Sequence, residues 1–174
     1  MTILYEVKTG HTEKVLKAFV KLNDKTRGDR MKIMMRYVIL AGLFFMTPKA
    51  LNVARGGYVV CWIMGILIVI LAICRNWFTY VDLLQKDKYY KERIEITMSF
   101  GLPAFEVKGE EKNTYKYHLI EALYEDSEMF YLRMEDSDLF IIPKDSFTRG
   151  NPEEFREFIQ NATEKKFEEV HLHL

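Results

Sequence analysis

The sequence predicts an α+β membrane protein, in which a two-helix transmembrane hairpin carries a small antiparallel β-sandwich or barrel capped by a C-terminal α-helix. Three observations predict this fold class. Residues 56–74 are nineteen uncharged residues between two arginines. Residues 94–150 contain short alternating runs separated by turn residues. Apolar side chains then recur at helical spacing after Pro152.

We expect four parts along the chain of 174 residues. They are an N-terminal strand and helix (1–30) that packs on the cytoplasmic domain, a transmembrane hairpin (31–75), a cytoplasmic linker helix (76–93) and a β-rich cytoplasmic domain with a C-terminal helix (94–174).

The N-terminal part predicts a strand and then a helix. Thr2–Lys8 alternates between apolar and polar residues, and Thr12 is a typical helix N-cap. Helical spacing follows at Val15, Leu16, Phe19 and Leu22. Because a lone strand and a lone helix are not stable in isolation, we expect this arm to pack on the downstream domain.

The run Gly56–Cys74 predicts a membrane span at about residues 57–74. As a helix it would be about 28 Å long, close to a hydrocarbon thickness of about 30 Å. Its two cysteines, Cys61 and Cys74, are too far apart along a helix to form a disulfide, and we expect free apolar thiols. Gly65, Ala72 and Cys61 are small enough to permit helix contact in a homo-oligomer.

A second span is predicted at about residues 31–47. The uncharged part, residues 37–48, is too short alone, but it can cross if Lys32 and Arg36 extend to one headgroup region. Pro48 and the pair Gly56-Gly57 suit a helix stop and a tight connection. The alternative is an interfacial segment or the buried helix of a soluble core.

Basic residues predict the orientation. Four precede the first span and five follow the second, whereas the loop between them carries two. This distribution predicts a multi-pass membrane chain with both termini in the cytoplasm. The net charge is +9 over residues 1–93 and −9 over residues 94–174, so the second part should be a water-soluble domain.

Residues 76–92 have helical spacing and could extend the second span into the cytoplasm. Beyond them we expect five or six strands in a curled antiparallel meander, with charged turns at residues 110–113, 126–127 and 136–137. One of these strands is predicted to run without a break over residues 114–125.

The last element is an amphipathic helix. Asn151 is a good N-cap, Pro152 suits the first helical position, and the pair Lys165-Lys166 suits the last turn. The apolar stripe consists of Phe155, Phe158, Ile159 and Ala162. One such helix over a small curled sheet resembles the pleckstrin-homology-like arrangement.

The run Leu139–Phe147 (LFIIPKDSF) combines a hydrophobic strand, Ile142-Pro143-Lys144, two residues and Phe147, and a helix rich in Glu and Phe follows. This pattern resembles the C-terminal signature of the YcxB-like family of bacterial membrane proteins. The resemblance implies the same layout of strand, helix, two spans and a pleckstrin-homology-like cytoplasmic domain. It implies no established activity.

The signature also has a structural interpretation. An unbroken apolar run suits a covered strand, which Ile142 completes and Pro143 ends because proline has no N–H donor. Phe147 should enter the core, and Lys144 should cap a strand end or pair with an acidic neighbour. A ligand contact by Lys144 is the alternative.

The sequence contains no CxxC, HExxH, nucleophile elbow or phosphate-binding glycine loop, so we expect no catalytic residue, cofactor or metal. His118 is expected to be a surface or half-buried residue. His171 and His173 could share a metal if the tail were a strand, although a frayed end is the expected state.

These observations favour a non-enzymatic, membrane-anchored protein-interaction or regulatory module. Its expected partners are the lipid bilayer and a protein, with no nucleic acid. The alternatives are a lipid-headgroup-binding membrane sensor, which the acidic residues 94–174 disfavour, and a toxin-immunity-type protection protein.

Overall fold

The computed structural model describes residues 2–26, 29–50, 55–136 and 138–172, and the predicted α+β class is confirmed. Its helices are α1 (Glu13–Thr26), α2 (Asp29–Ala50), α3 (Arg55–Lys86), α4 (Lys88–Lys91) and α5 (Pro152–Thr163). Its strands are β1 (Ile3–Gly10), β2 (Glu95–Gly101), β3 (Phe105–Lys108), β4 (Lys112–Tyr115), β5 (Ile120–Glu125), β6 (Met129–Met134), β7 (Leu139–Pro143), β8 (Phe147–Arg149) and β9 (Phe167–Glu169).

The strands form two sheets, in the orders β4-β3-β2-β1-β8 and β7-β6-β5-β9. Neighbouring strands are antiparallel except at the pair β5–β9, which is parallel. The prediction of an entirely antiparallel sandwich is therefore wrong at this edge. The reason is that α5 carries the chain back so that it enters β9 in the direction of β5.

The predicted strand over residues 114–125 is also wrong as a single element, because a 3-10 turn at Tyr117–Leu119 separates β4 from β5. Tyr117 is buried there, and its hydroxyl donates a hydrogen bond to the Gly101 carbonyl at 2.6 Å. The predicted turn at residues 110–113 is shorter than expected, since β4 already begins at Lys112. Ser137, in the third predicted turn, lies outside the described residues.

Strand β1 lies inside the five-stranded sheet, with β2 on one side and β8 on the other. Its last residue, Gly10, pairs with Glu95 at the start of β2, so residues 11–94 are inserted between two neighbouring strands. The chain divides into two compact units. Unit 1 comprises the residues up to Phe19 and those from Leu84 onward, and unit 2 is Val20–Leu83.

The core of unit 1 is aromatic and is centred on α5. Phe155 is fully buried, and its ring centroid lies 4.8 Å from that of Phe100 and 5.1 Å from that of Phe147. The predicted N-cap is confirmed, because the Asn151 side chain accepts a hydrogen bond from the Glu153 amide at 2.9 Å. The helix ends at Thr163, so the prediction that Lys165 and Lys166 form its last turn is wrong.

The reason for this early end is Glu164, whose left-handed backbone (φ 57°) stops the helix. Lys165 then lies beside β5, where its Nζ donates to the carbonyls of Ile120 and Glu121 at 2.7 and 2.8 Å. The predicted apolar stripe packs as expected, with Phe155 and Ile159 fully buried.

Within the described residues, one helix is long and apolar enough to cross a membrane by length and composition. This is the 31-residue stretch Gly56–Lys86 of α3, whose most apolar window is only 11% buried. The predicted two-helix hairpin is not confirmed, because α3 supplies the one candidate span found within the described residues.

Helix α2 continues two residues past Pro48 to Ala50, and α3 begins at Arg55, before the pair Gly56-Gly57. The helix stop predicted at Pro48 and the connection predicted at Gly56-Gly57 are therefore wrong, and residues 51–54 lie outside the described residues. In unit 2, the ring of Phe45 covers Gly65: a Cβ at Gly65 would lie 2.7 Å from Phe45 Cζ. Phe45 also makes an edge contact with Trp62, at a centroid distance of 5.5 Å. The small residue Gly65 is thus in contact with this chain's own α2.

Candidate binding groove

Unit 1 carries a surface groove of about 1100 Å³. Four separate segments line it: residues 8–15, residues 89–95, the turn between β5 and β6, and the connection from β7 to β8. The groove lies where β1 ends and β2 begins. The two sheets and α5 are called the β-domain below, and the groove is therefore where the chain leaves this domain and re-enters it.

A histidine and an aspartate fix one wall of the groove. His11 Nδ1 lies 2.8 Å from Asp87 Oδ2, and the other carboxylate oxygen of Asp87 accepts the Tyr90 amide at 2.7 Å as the N-cap of α4. The His11 ring also contacts the Tyr89 ring, at a centroid distance of 5.2 Å. The two ends of the insertion are therefore held together by a polar contact and a ring contact.

The wall contributed by the β5–β6 turn carries paired charges. Lys14 Nζ lies 2.9 Å from Glu128 Oε2, and both side chains are about half exposed. Such an exposed pair contributes less than about 1 kcal/mol to stability, so both groups can rearrange toward a ligand at small cost. The other charged lining residues are Lys8, Glu13, Lys91, Arg93, Glu95, Lys144 and Asp145, which gives a mixed-charge surface suited to polar recognition.

The four signature residues divide between the core and the groove. Ile142 is fully buried, and Phe147 begins β8 and packs on Phe155. Pro143 ends β7 and, with Lys144, lines the groove. The signature thus joins a packing segment to a surface segment.

Lys144 is held by several contacts at once. Its Nζ donates to the Asp126 carbonyl at 2.6 Å and lies 3.7 Å from Glu125 Oε2 and 4.6 Å from the centroid of the Phe130 ring. Its backbone amide donates to the Glu128 carbonyl at 2.8 Å. Lys144 therefore ties the β7–β8 connection to the β5–β6 turn and shapes two sides of the groove.

An ion pair behind this turn, with a buried carboxylate and a partly exposed arginine, was not predicted from the sequence. Glu125 is only 7% exposed, and Arg156 of α5 binds its Oε1 through Nε at 2.8 Å and Nη2 at 2.7 Å. Hydrogen bonding to this carboxylate raises the pKa of Arg156 above its ordinary value. The available signal was strand alternation, which places Glu125 on the same face as the buried Leu123.

The remaining candidates are dispersed. His118 is exposed in the 3-10 turn, His171 is exposed beyond β9, and His173 lies outside the described residues. Among the described residues, no group of three or more His, Cys, Asp or Glu side chains could hold a metal ion. Cys61 and Cys74 are free thiols, as predicted.

Comparison with protein-family models gives a match to the model described as YcxB-like protein, over residues 100–159. Comparisons with curated proteins and with solved structures give no match. The matched residues run from the end of β2 through Ile159 of α5 and include the whole signature. The family resemblance predicted from the sequence is thereby confirmed, and residues 100–159 of this chain form a YcxB-like region.

Proposed function

We propose that this chain is a non-enzymatic, membrane-anchored interaction module whose β-domain binds a protein partner in the groove. One observation carries the proposal. The apolar α3 belongs to an insertion between β1 and β2, so the β-domain is tethered to it through two neighbouring strands instead of one flexible linker. A domain tethered in this way stays at the membrane surface when its partner binds.

The proposed anchor is a two-helix hairpin of α2 and α3 in the bacterial plasma membrane, with both termini cytoplasmic. Its support is the Phe45 contact with Gly65 and the exposure of large apolar side chains on both helices. Val38, Leu43 and Met46 of α2 are all exposed, which is costly in water and favourable in lipid. Basic residues flanking the helices favour the orientation.

A polar cluster supports placing the membrane boundary at the end of the apolar run at residues 56–74. Arg75 pairs with Asp24, and the Asn76 amide donates to the same carboxylate at 3.1 Å. Pairing offsets the desolvation of a charge next to the hydrocarbon layer. The membrane would then end near Arg75, while α3 continues to Lys86 on the cytoplasmic side.

The architecture of the β-domain also supports the proposed interaction role. Strands β1 to β4 form one meander, β5 to β7 form a second, and α5 packs over both. A helix over curled sheets resembles the pleckstrin-homology-like arrangement that the sequence predicts for this domain. The groove at the tethered end supplies the binding surface.

Two experiments test the proposal. In the first, replacing Leu67 and Ile70 of α3 with lysine should release the chain from carbonate-washed membranes, because each lysine raises the insertion free energy by roughly 3 kcal/mol. The control replaces Leu4 and Leu102, exposed residues of unit 1, and should leave the chain in the membrane. Full release of the unsubstituted chain by carbonate would contradict the anchor.

In the second experiment, a photo-crosslinking amino acid is placed in cells at Tyr90 in the groove, or at Asn113 on the exposed edge strand β4 as a matched control. We expect a discrete crosslinked protein from position 90 and none from position 113. Equal products from both positions, or none from either, would contradict a partner site in the groove.

A lipid headgroup is the second candidate ligand, because four basic residues from outside residues 94–174 line the groove. Residues 1–19 and 84–93, which complete unit 1, add seven basic residues, including Lys8, Lys14, Lys91 and Arg93, and four acidic ones. Unit 1 therefore has a net charge of −6, compared with −9 for residues 94–174 alone. The full chain in neutral nanodiscs should then float with anionic liposomes at low salt and not at high salt. Failure to float at low salt would exclude this ligand.

A further inference from the structure

The segment after α5 returns along the second sheet and fills its open edge. Glu164 turns the chain with φ 57°, and residues 167–169 then pair in parallel with residues 123–125 of β5. The Val170 amide adds a hydrogen bond to the Glu125 carbonyl at 2.8 Å. Residues 165–170, called the tail below, therefore lie along the edge of β5 in the way that a peptide strand is added to the edge of a sheet.

Three side chains of this segment make the specific contacts. Phe167 is nearly buried, 5.2 Å from the Phe130 ring and 5.6 Å from the Arg156 guanidinium, and Val170 is 4% exposed. Lys165 donates to two carbonyls at the start of β5. Glu168 and Glu169 are exposed. The edge of β5 thus binds a segment with the pattern Lys-x-Phe-x-x-Val.

The backbone pairing that holds this segment on the sheet is limited. Its ladder covers three residues, it is parallel, and it lies at the edge of its sheet. Without it, β5, β6 and β7 still pair, and Phe155 and Ile159 of α5 still fill the core. The YcxB-like region ends at residue 159, before this segment begins.

We propose that the β5 edge is a second binding site, which accepts an extended segment of a partner protein carrying Lys-x-Phe-x-x-Val, and that residues 165–170 occlude it as an intramolecular competitor. The inference rests on the proposed interaction function and deepens it by naming a surface and a peptide chemistry. Displacing the tail exposes the β5 backbone and the pocket formed by Leu123 and Phe130. The partner's main chain then takes over the hydrogen bonds, and its Phe and Val fill the same positions.

The test uses the full chain in detergent and a fluorescent peptide with the sequence of residues 164–172, EKKFEEVHL. The double variant Phe167→Ser/Val170→Ser weakens the tail and should bind this peptide at least tenfold more tightly than the unsubstituted chain. A peptide with Ser at the Phe position should not bind either protein. The matched control Glu168→Gln/Glu169→Gln changes exposed residues only and should behave as the unsubstituted chain.

A second arm applies even if the double variant does not fold. A protease site inserted after Glu164 is cleaved once the chain has folded, which leaves the tail bound only by its own contacts. We expect the labelled peptide to exchange into the site within hours. No exchange after cleavage, or a folded double variant that binds no peptide, would overturn the proposal.

Light scattering identifies the other possible occupant. A dimer of the unsubstituted chain that dissociates when free peptide is added would mean that the tail of a second copy fills the edge, and this would overturn the assignment to a partner protein. The peptide assays depend neither on membrane insertion nor on the groove crosslink. Their failure is therefore distinguishable from failure of the proposed function.

Discussion

Two buried tyrosines should make the stability of the β-domain depend on pH. The Tyr131 hydroxyl donates to Asp126 Oδ2 at 2.6 Å, and that of Tyr117 donates to the Gly101 carbonyl. Burial raises the pKa of both phenols above the ordinary value of 10, and the neighbouring Asp126 carboxylate raises that of Tyr131 further. In the folded chain both side chains therefore stay neutral at a pH where free tyrosine ionises.

The sign of the resulting pH dependence follows from linkage. Below pH 10 both states carry a neutral phenol and the stability is fully present; above it the unfolded state loses protons that the folded state keeps. The free energy of unfolding should then fall by about 1.4 kcal/mol per pH unit for each buried tyrosine.

Urea unfolding at several alkaline pH values measures this slope, and Tyr131→Phe and Tyr117→Phe should each reduce it. In the unsubstituted chain, the phenolate absorbance of these two residues should appear together with unfolding. An unchanged slope in both variants would contradict the assignment.

Gly150, which precedes the N-cap of α5, has a backbone that disfavours a side chain. Its φ is +87°, and a Cβ there would overlap the ring of Tyr5. Gly150→Ala should lower the free energy of unfolding by roughly 1–3 kcal/mol from backbone strain alone. The control is Gly10→Ala, whose Cβ would make an ordinary 3.5 Å contact with the Ile94 carbonyl. Equal losses for the two variants in urea unfolding would refute this explanation.

At the scale of elements, α5 depends on its first turn. Asn151 caps it, Pro152 occupies the first position, and Glu153 and Glu154 lie near the positive end of the helix dipole. Asn151→Ala should lower the free energy of unfolding by about 1 kcal/mol, because the Glu153 amide loses its partner. The same substitution at Asn161, which is exposed inside the helix, should cost nothing measurable in thermal unfolding. A control that lost as much as the cap variant would show that the cap is not the cause.

At the scale of the whole molecule, the insertion can be separated from the β-domain by design. Gly10 and Glu95 are cross-strand partners, so a two-residue Asn-Gly turn should join them after removal of residues 11–94. Of the residues in and around the core cluster of unit 1, that deletion removes Tyr89. We expect the shortened chain to be monodisperse without detergent and to unfold cooperatively.

The matched control is residues 95–174 alone. It lacks β1, whose Val7 is fully buried and whose backbone pairs with both β2 and β8. It should therefore fail to fold, as judged by circular dichroism and size-exclusion chromatography. Folding of this control, or aggregation of the joined chain, would contradict the role given to β1.

The features that the sequence by itself determined are those encoded by residues close together in the chain. Each of them depends on neighbours within a few positions. They are the apolar run at residues 56–74, the alternation before Gly101, the signature ending at Phe147 and the Asn151-Pro152 helix start.

Contacts between distant segments were decided only by the tertiary structure. Gly10 meets Glu95 across the whole insertion, His11 meets Asp87, and Glu125 meets Arg156. The pairing of β1 with β2 and β8 was decided in the same way. Strand pairing is set by the free energy of assembling the whole core, and no local pattern records which partner a strand takes.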